Sequence, residues 1–148
     1  MTTPTTETKP EILSGSRLIS DIIKDLSREI RPEMLETRKQ GGANLTYIPW
    51  HQATRLLDAY APGWSYEILR ETVAEGKTKK GETTKTLAMT VRLTIPAKDG
   101  TVSREATGIE ELLGADGYGD PWSNASSMAL RRAAAMFGLA RYLYRKDD

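Results

Sequence analysis

Residues 84–95, "TKTLAMTVRLTI", alternate apolar and polar side chains. In an extended chain successive side chains leave opposite faces, so Leu87, Met89, Val91, Leu93 and Ile95 share one face. Thr86, Thr90, Arg92 and Thr94 occupy the other. Such a strand belongs to a sheet with one buried and one solvated side. Its sequence neighbours read as its partners. "WSYEILRETV" (64–73) precedes it across the polar tip "AEGKTKKGET" (74–83), and "TVSREATG" (101–108) follows across "AKDG" (97–100), which is hairpin chemistry in both places.

The buried side needs a cover, and the stretch "PWSNASSMALRRAAAMFGLARYLY" (121–144) is predicted to be that helix, with Asp120 as cap and Pro121 in the first turn. Projected at about 100° per residue, Trp122, Ala125, Ala129, Ala133, Met136, Phe137, Ala140 and Tyr144 form one stripe facing the sheet. Arg131 points nearly opposite, with Gly138 and the edge of Ser127, and Arg132 lies on the flank. Small residues around this adjacent pair would let something large approach closely.

Upstream, "SRLISDIIKDLSREI" (16–30) places Leu18, Ile19, Ile22, Ile23, Leu26 and Ile30 at helical spacing behind a Ser16 cap. Pro32 ends that helix or opens a short turn through Leu35. "RKQGGAN" (38–44) reads as a glycine-bearing loop and "LTYI" (45–48) as a short strand. Pro49 then launches the helix "WHQATRLLDAY" (50–60). "GIEELLGADGYGD" (108–120) reads as a loop, and residues 1–15, rich in Thr and Pro without an apolar signal core, as a disordered tail. The expectation is therefore one α+β domain over residues 16–148, a β-β-β-α core whose antiparallel sheet is packed by a long C-terminal helix.

Composition narrows the chemistry. The chain has no cysteine, which removes disulfides and thiolate metal sites and favours an intracellular setting. It carries no run of about 18 apolar residues, so no membrane span is expected. The net charge is +1, from 21 Lys and Arg against 20 Asp and Glu, yet the basic residues gather in "RKQGG", "KTKKGETTK", "LRR" and "ARYLYRK". Screening limits each charge to roughly 8 Å at physiological salt, so such clusters can bind phosphates on a nearly neutral protein. They are equally readable as ordinary solvated faces.

Catalytic constellations are weak. His51 is the only histidine and, beside Trp50, reads as a packing or hydrogen-bonding residue. Glu110 and Glu111 are adjacent and would diverge by about 100° on a helix, which gives them no shared substrate. No phosphate-binding "GxxxxGK[ST]" occurs, so no nucleotide cofactor is expected, nor any metal. A small hydrolase or nuclease using Glu110, Glu111, Asp116 or His51 would betray itself by divalent-metal-dependent DNA cleavage.

Two segments carry a family resemblance. "RPEMLETRKQGGANLTYIPWHQATRLLDAYAPGWSYEI" (31–68) resembles the N-terminal segment of the Rad52 family of single-strand annealing proteins: Pro-Glu, an Arg, a Gly pair, Tyr-Ile, His, an apolar helix, then Gly-Trp and a strand. "ASSMALRRAAAMFGLARYLY" (125–144) is similar to the family's second signature, and its "FGLARYLY" is especially like the bacterial DdrA relatives. The resemblance implies subunits assembled as a homo-oligomeric ring or arc, with single-stranded DNA in a basic groove and complementary strands annealed without nucleotide hydrolysis. It matches Arg38 to the family's groove arginine, and Arg131 and Arg132 to its basic pair. A further basic residue one turn on is replaced by Ala135, and the acidic Glu110-Glu111 falls near the place of a second, outer DNA site. The inner groove is the site this implies.

The candidate DNA-binding set is thus Arg38, Lys39, Tyr47, Lys79, Lys80, Lys85, Arg131 and Arg132, with base stacking open to one of Tyr47, Trp50, Trp64 and Tyr66, which otherwise read as core. Arg38 is also readable as a solvated loop residue, and Arg131 and Arg132 as salt-bridging ties between helices or subunits. A non-catalytic recombination or repair protein is expected, with single-stranded DNA and copies of itself as partners and a recombinase or single-strand binding protein as a further one. Its expected place is cytoplasmic in a bacterium or phage host, or nuclear or organellar in a eukaryote. The competing reading is a ring-forming scaffold of the same fold that has no annealing activity.

Overall fold

The computed structural model describes residues 15–113 and 120–144. Helix α1 (Ile19–Leu26) is followed by a 3₁₀ turn (Pro32–Met34), a two-stranded hairpin of β1 (Glu36–Gln40) and β2 (Ala43–Tyr47), and helix α2 (Trp50–Tyr60). Strands β3 (Ser65–Lys77), β4 (Thr83–Ile95) and β5 (Val102–Leu113) form an antiparallel sheet in that order, and helix α3 (Pro121–Ala135) with a 3₁₀ turn (Arg141–Tyr144) closes the described chain. The fold is α+β, with the three-stranded sheet packed by the C-terminal helix. The tail expected over residues 1–15 lies outside the described residues, apart from Gly15.

The period-two reading of β4 holds. Leu87, Met89, Val91, Leu93 and Ile95 are all buried. On the opposite face Arg92 spans its neighbours, with Glu67 of β3 at 3.4 Å and Glu105 of β5 at 3.1 Å. Thr94 bonds Ser103 across the strands at 2.9 Å. Thr90 departs from the solvated pattern, being buried and hydrogen-bonded to Thr107 at 2.9 Å. The main core joins Val91, Leu93 and Ile95 to Ile22, Leu26, Ala53, Leu57, Leu130, Ala134 and Phe137, so α1 and α2 close over α3 at that end of the sheet.

Helix α3 rides close to β5 because Gly108 has no side chain: a Cβ there would collide with the Ala125 carbonyl oxygen and lie 2.7 Å from the Ala129 nitrogen. Ala125, Ala129 and Ala133 are fully buried as predicted. Trp122 (43% exposed), Met136 (49%) and Tyr144 (49%) are not part of the buried stripe, however. The helix does not run to residue 144. Leu139 N–H donates to the Ala134 carbonyl (3.1 Å) and Gly138 N–H to the Ala135 carbonyl (2.9 Å), the paired closure that ends a helix on a left-handed glycine. Gly138 has φ +110° and Ala140 φ +56°. What approaches Gly138 is the protein's own α1 terminus, since a Cβ on it would strike Ser27 Oγ.

Three other expectations change. "RKQGGAN" is no loop: Gly41 (φ +60°) and Gly42 (φ +81°) form the two-residue turn of a hairpin that carries Arg38 and Lys39 on β1. Strand β5 continues through "GIEELL" to Leu113, so Glu110 and Glu111 are strand residues on opposite faces. Finally, α1 starts at Ile19 without a Ser16 cap; Ile19 N–H donates to Asp99 Oδ1 at 3.0 Å, a cap lent by the β4–β5 turn.

Candidate nucleic-acid interface

Register divides the hairpin into two faces. Glu36 pairs with Tyr47 and Arg38 with Leu45, so these four share one face, while Thr37, Lys39, Asn44 and Thr46 share the other. The Thr37–Thr46 hydroxyl contact at 3.3 Å marks that second face. Tyr47 is half-buried, and its hydroxyl donates to Glu36 Oε1 at 2.9 Å. The Arg38 guanidinium lies 5.1 Å from the centre of the Tyr47 ring. Arg131, from the middle of α3, lies 5.3 Å from the same centre. Residues far apart in sequence thus converge on one aromatic ring with two cations, an arrangement the ring's negative face stabilises.

The electrostatics of this cluster are unbalanced. Glu36 is engaged by the Tyr47 hydroxyl, and among the described residues neither Arg38 nor Arg131 is in an ion pair. Burial holds the Arg131 pKa below the ordinary arginine value, and repulsion from Arg38 acts in the same direction, while Tyr144 and Tyr47 oppose both. Burial, then the bond to Glu36, raises the Tyr47 phenol above its usual value. A bound anion would relieve the repulsion between the two guanidiniums.

The other candidates go elsewhere. Arg132 donates from Nη1 to the Thr107 carbonyl on β5 at 2.8 Å, so the adjacent arginines serve different flanks of α3. Lys39 is exposed on the far face of the hairpin. Lys79 and Lys80 sit in the exposed turn between β3 and β4, and Lys85 of β4 pairs with Glu75 at 3.9 Å. Among the described residues no hydrogen bond or ring contact joins these lysines to Tyr47. Of the aromatics read as core, Trp50 and Tyr66 are exposed; Trp50 meets His51 edge-on at 5.9 Å and Tyr66 stacks on Trp64 at 6.2 Å. Asp116 lies outside the described residues, and among those described no three His, Asp or Glu side chains come together as a metal site.

Residues 18–148 match the family model described as Rad52/22 family double-strand break repair protein. The chain belongs to the Rad52/22 family. It is 35% identical over 145 residues to the DNA repair RAD52-like protein 1, mitochondrial, of Arabidopsis thaliana, covering 96% of this chain and 77% of that protein. It is 34% identical over 134 residues to the DNA repair RAD52-like protein 2, chloroplastic, of the same plant, covering 88% of this chain and 63% of the relative. Membership sets the chain in DNA repair and recombination, in a family of annealing proteins more than of catalysts. Both relatives are organellar by name, so the bacterial or phage source expected from the sequence draws no support from them. Among the described residues no helix is long and apolar enough to cross a membrane.

The family's signature segments meet at the Tyr47 ring: the first supplies Arg38 and Tyr47, the second Arg131. Sequence spacing alone could not reveal this meeting, because it depends on the hairpin hidden in "ETRKQGGANLTY". The glycine pair was the available signal.

Proposed function

We propose that this Rad52/22 family chain binds single-stranded DNA by its sugar-phosphate backbone and anneals complementary strands without nucleotide hydrolysis. The observation that carries the reading is the convergence of Arg38 and Arg131 on Tyr47, two cations that have no carboxylate partner among the described residues, beside a partly accessible ring. Planar guanidiniums suit phosphate oxygens, and a grip on the backbone leaves base edges free for pairing. Base pairing then supplies the driving force, about 1.4 kcal/mol per DNA stacking step, so the protein needs only to promote encounter and alignment. Nothing in that scheme calls for ATP or a catalytic group.

Fluorescence anisotropy of labelled single strands tests the binding step. Affinity should fall steeply with salt and vary little with base sequence, because released counterions and not base contacts dominate. An affinity insensitive to salt, or confined to one sequence, contradicts the reading.

A further inference from the structure

We propose a second phosphodiester subsite in the cleft between the C-terminal end of α3 and strand β5, held by Arg104, Arg132 and Arg141. This rests on the single-strand-binding reading above and extends it from Arg132, one of the family's basic pair, to Arg104 and Arg141, which the family resemblance does not assign. The cleft is an open cavity of about 430 Å³ lined by these three arginines with Ala135, Met136 and Tyr144.

Each arginine arrives from a different element. Arg104 pairs in register with Leu93, which puts it on the core-facing side of β5, and its guanidinium lies 5.2 Å from the centre of the Phe137 ring. Arg132 is fixed from α3 by its bond to the Thr107 carbonyl, which leaves its remaining donors available. Arg141 follows from the turn that Gly138 and Ala140 force on the chain, and its side chain is exposed. Among the described residues none of the three is in an ion pair. Three cations around one cavity, without a counter-charge among the described residues, create a site for an anion.

The lining chooses the class of anion. Ala135, where the family pattern has a further basic residue, leaves an apolar floor beside the half-exposed Met136 and Tyr144. Guanidiniums alternating with an aromatic ring and apolar surface suit a nucleic-acid strand, whose phosphates alternate with sugars and bases. Position favours the same ligand. Arg131 and Arg132 are adjacent on α3, so the cleft and the Tyr47 cluster flank the same end of that helix. A strand crossing the end of α3 would meet Arg38 and Arg131 first, then Arg104, Arg132 and Arg141.

The test is salt-dependent anisotropy with a labelled oligothymidylate, using the full chain as wild type, Arg104→Gln, Arg141→Ala, the double variant and, separately, Arg38→Ala. Arg104→Gln keeps a polar side chain over Phe137, and Arg141→Ala alone reports on the cleft should the Arg104 variant misfold. The proposal expects each change to lower affinity and to reduce the slope of log affinity against log salt by about 0.7, or about 1.4 for the pair. If Arg38→Ala weakens binding while Arg141→Ala and the double variant keep the wild-type slope and affinity, the subsite is overturned and the Tyr47 reading stands. If the wild type shows no salt-dependent binding, both fall. A polyglutamate peptide whose binding is lost in the double variant, with oligothymidylate binding unchanged, assigns the cleft to acidic protein segments and also overturns the proposal.

Discussion

Arg131 and Arg132 are neighbours in sequence and separate in purpose. The 100° step between them sends one toward Tyr47 and the other to the Thr107 carbonyl. Arg38→Ala and Arg131→Ala should each weaken single-strand binding roughly tenfold, the low end of what a hydrogen bond to a charged group contributes. Thermal melting separates the two variants. Arg38 is exposed, so its loss should leave the melting temperature nearly unchanged, whereas Arg131 is partly buried against Tyr47 and its loss should cost about 1 kcal/mol in stability. A large melting shift for Arg38→Ala with normal binding would make that residue a structural tie. The divergence of the pair was legible in the sequence from helical geometry alone. Their partners were not, because contact with Tyr47 and Thr107 depends on long-range packing that no local pattern encodes.

Elements whose local pattern agreed with their tertiary role were readable, and the others failed for identifiable reasons. The alternation in β4 gave its buried face because a half-covered sheet demands it. Strand β1, "ETRKQ", carries no apolar residue and is exposed wherever its side chains are described, so only the Gly41-Gly42 turn could announce it. The apolar spacing beyond Ala135 suggested more helix, yet Gly138 at positive φ is the stop. Gly138→Ala should therefore destabilise by more than 1 kcal/mol, through both the left-handed backbone and the collision with Ser27 Oγ. Chemical denaturation checks this; an unchanged midpoint would show that the turn tolerates a side chain. Arg17 ties α1 to α2 by pairing with Asp25 and donating to the Tyr60 carbonyl at 2.7 Å. The hydrogen bond from Arg17 holds the Asp25 carboxyl below its ordinary pKa. A depressed carboxylate pKa stabilises the fold above the unfolded value, about pH 4, and that contribution is lost as pH falls through the folded value. Asp25→Asn should be less stable than wild type at neutral pH, with the difference closing in acid. A pH-independent difference would mean that Asp25 does not act through its charge.

At the scale of the whole molecule, a chain of this size offers one short stretch of basic surface, and a long strand needs that stretch repeated. Both outer strands of the sheet are edges, and β3 exposes Tyr66, Ile68 and Val73 along its length. Unpaired, partly apolar edges favour pairing with another copy. Light scattering should find a large homo-oligomer, in keeping with the ring or arc that the family resemblance implies. A strict monomer at micromolar concentration that still anneals would remove repetition from the mechanism. The central claim is annealing itself, and quenching between labelled complementary strands in buffer free of nucleotide and magnesium tests it most directly. The wild type should accelerate duplex formation well above the spontaneous rate, and an Arg38→Ala/Arg131→Ala double variant should return it close to that rate while remaining folded by circular dichroism. Equal rates with and without wild-type protein, at concentrations that saturate the strands, would contradict the account and leave a binding or scaffold protein in its place.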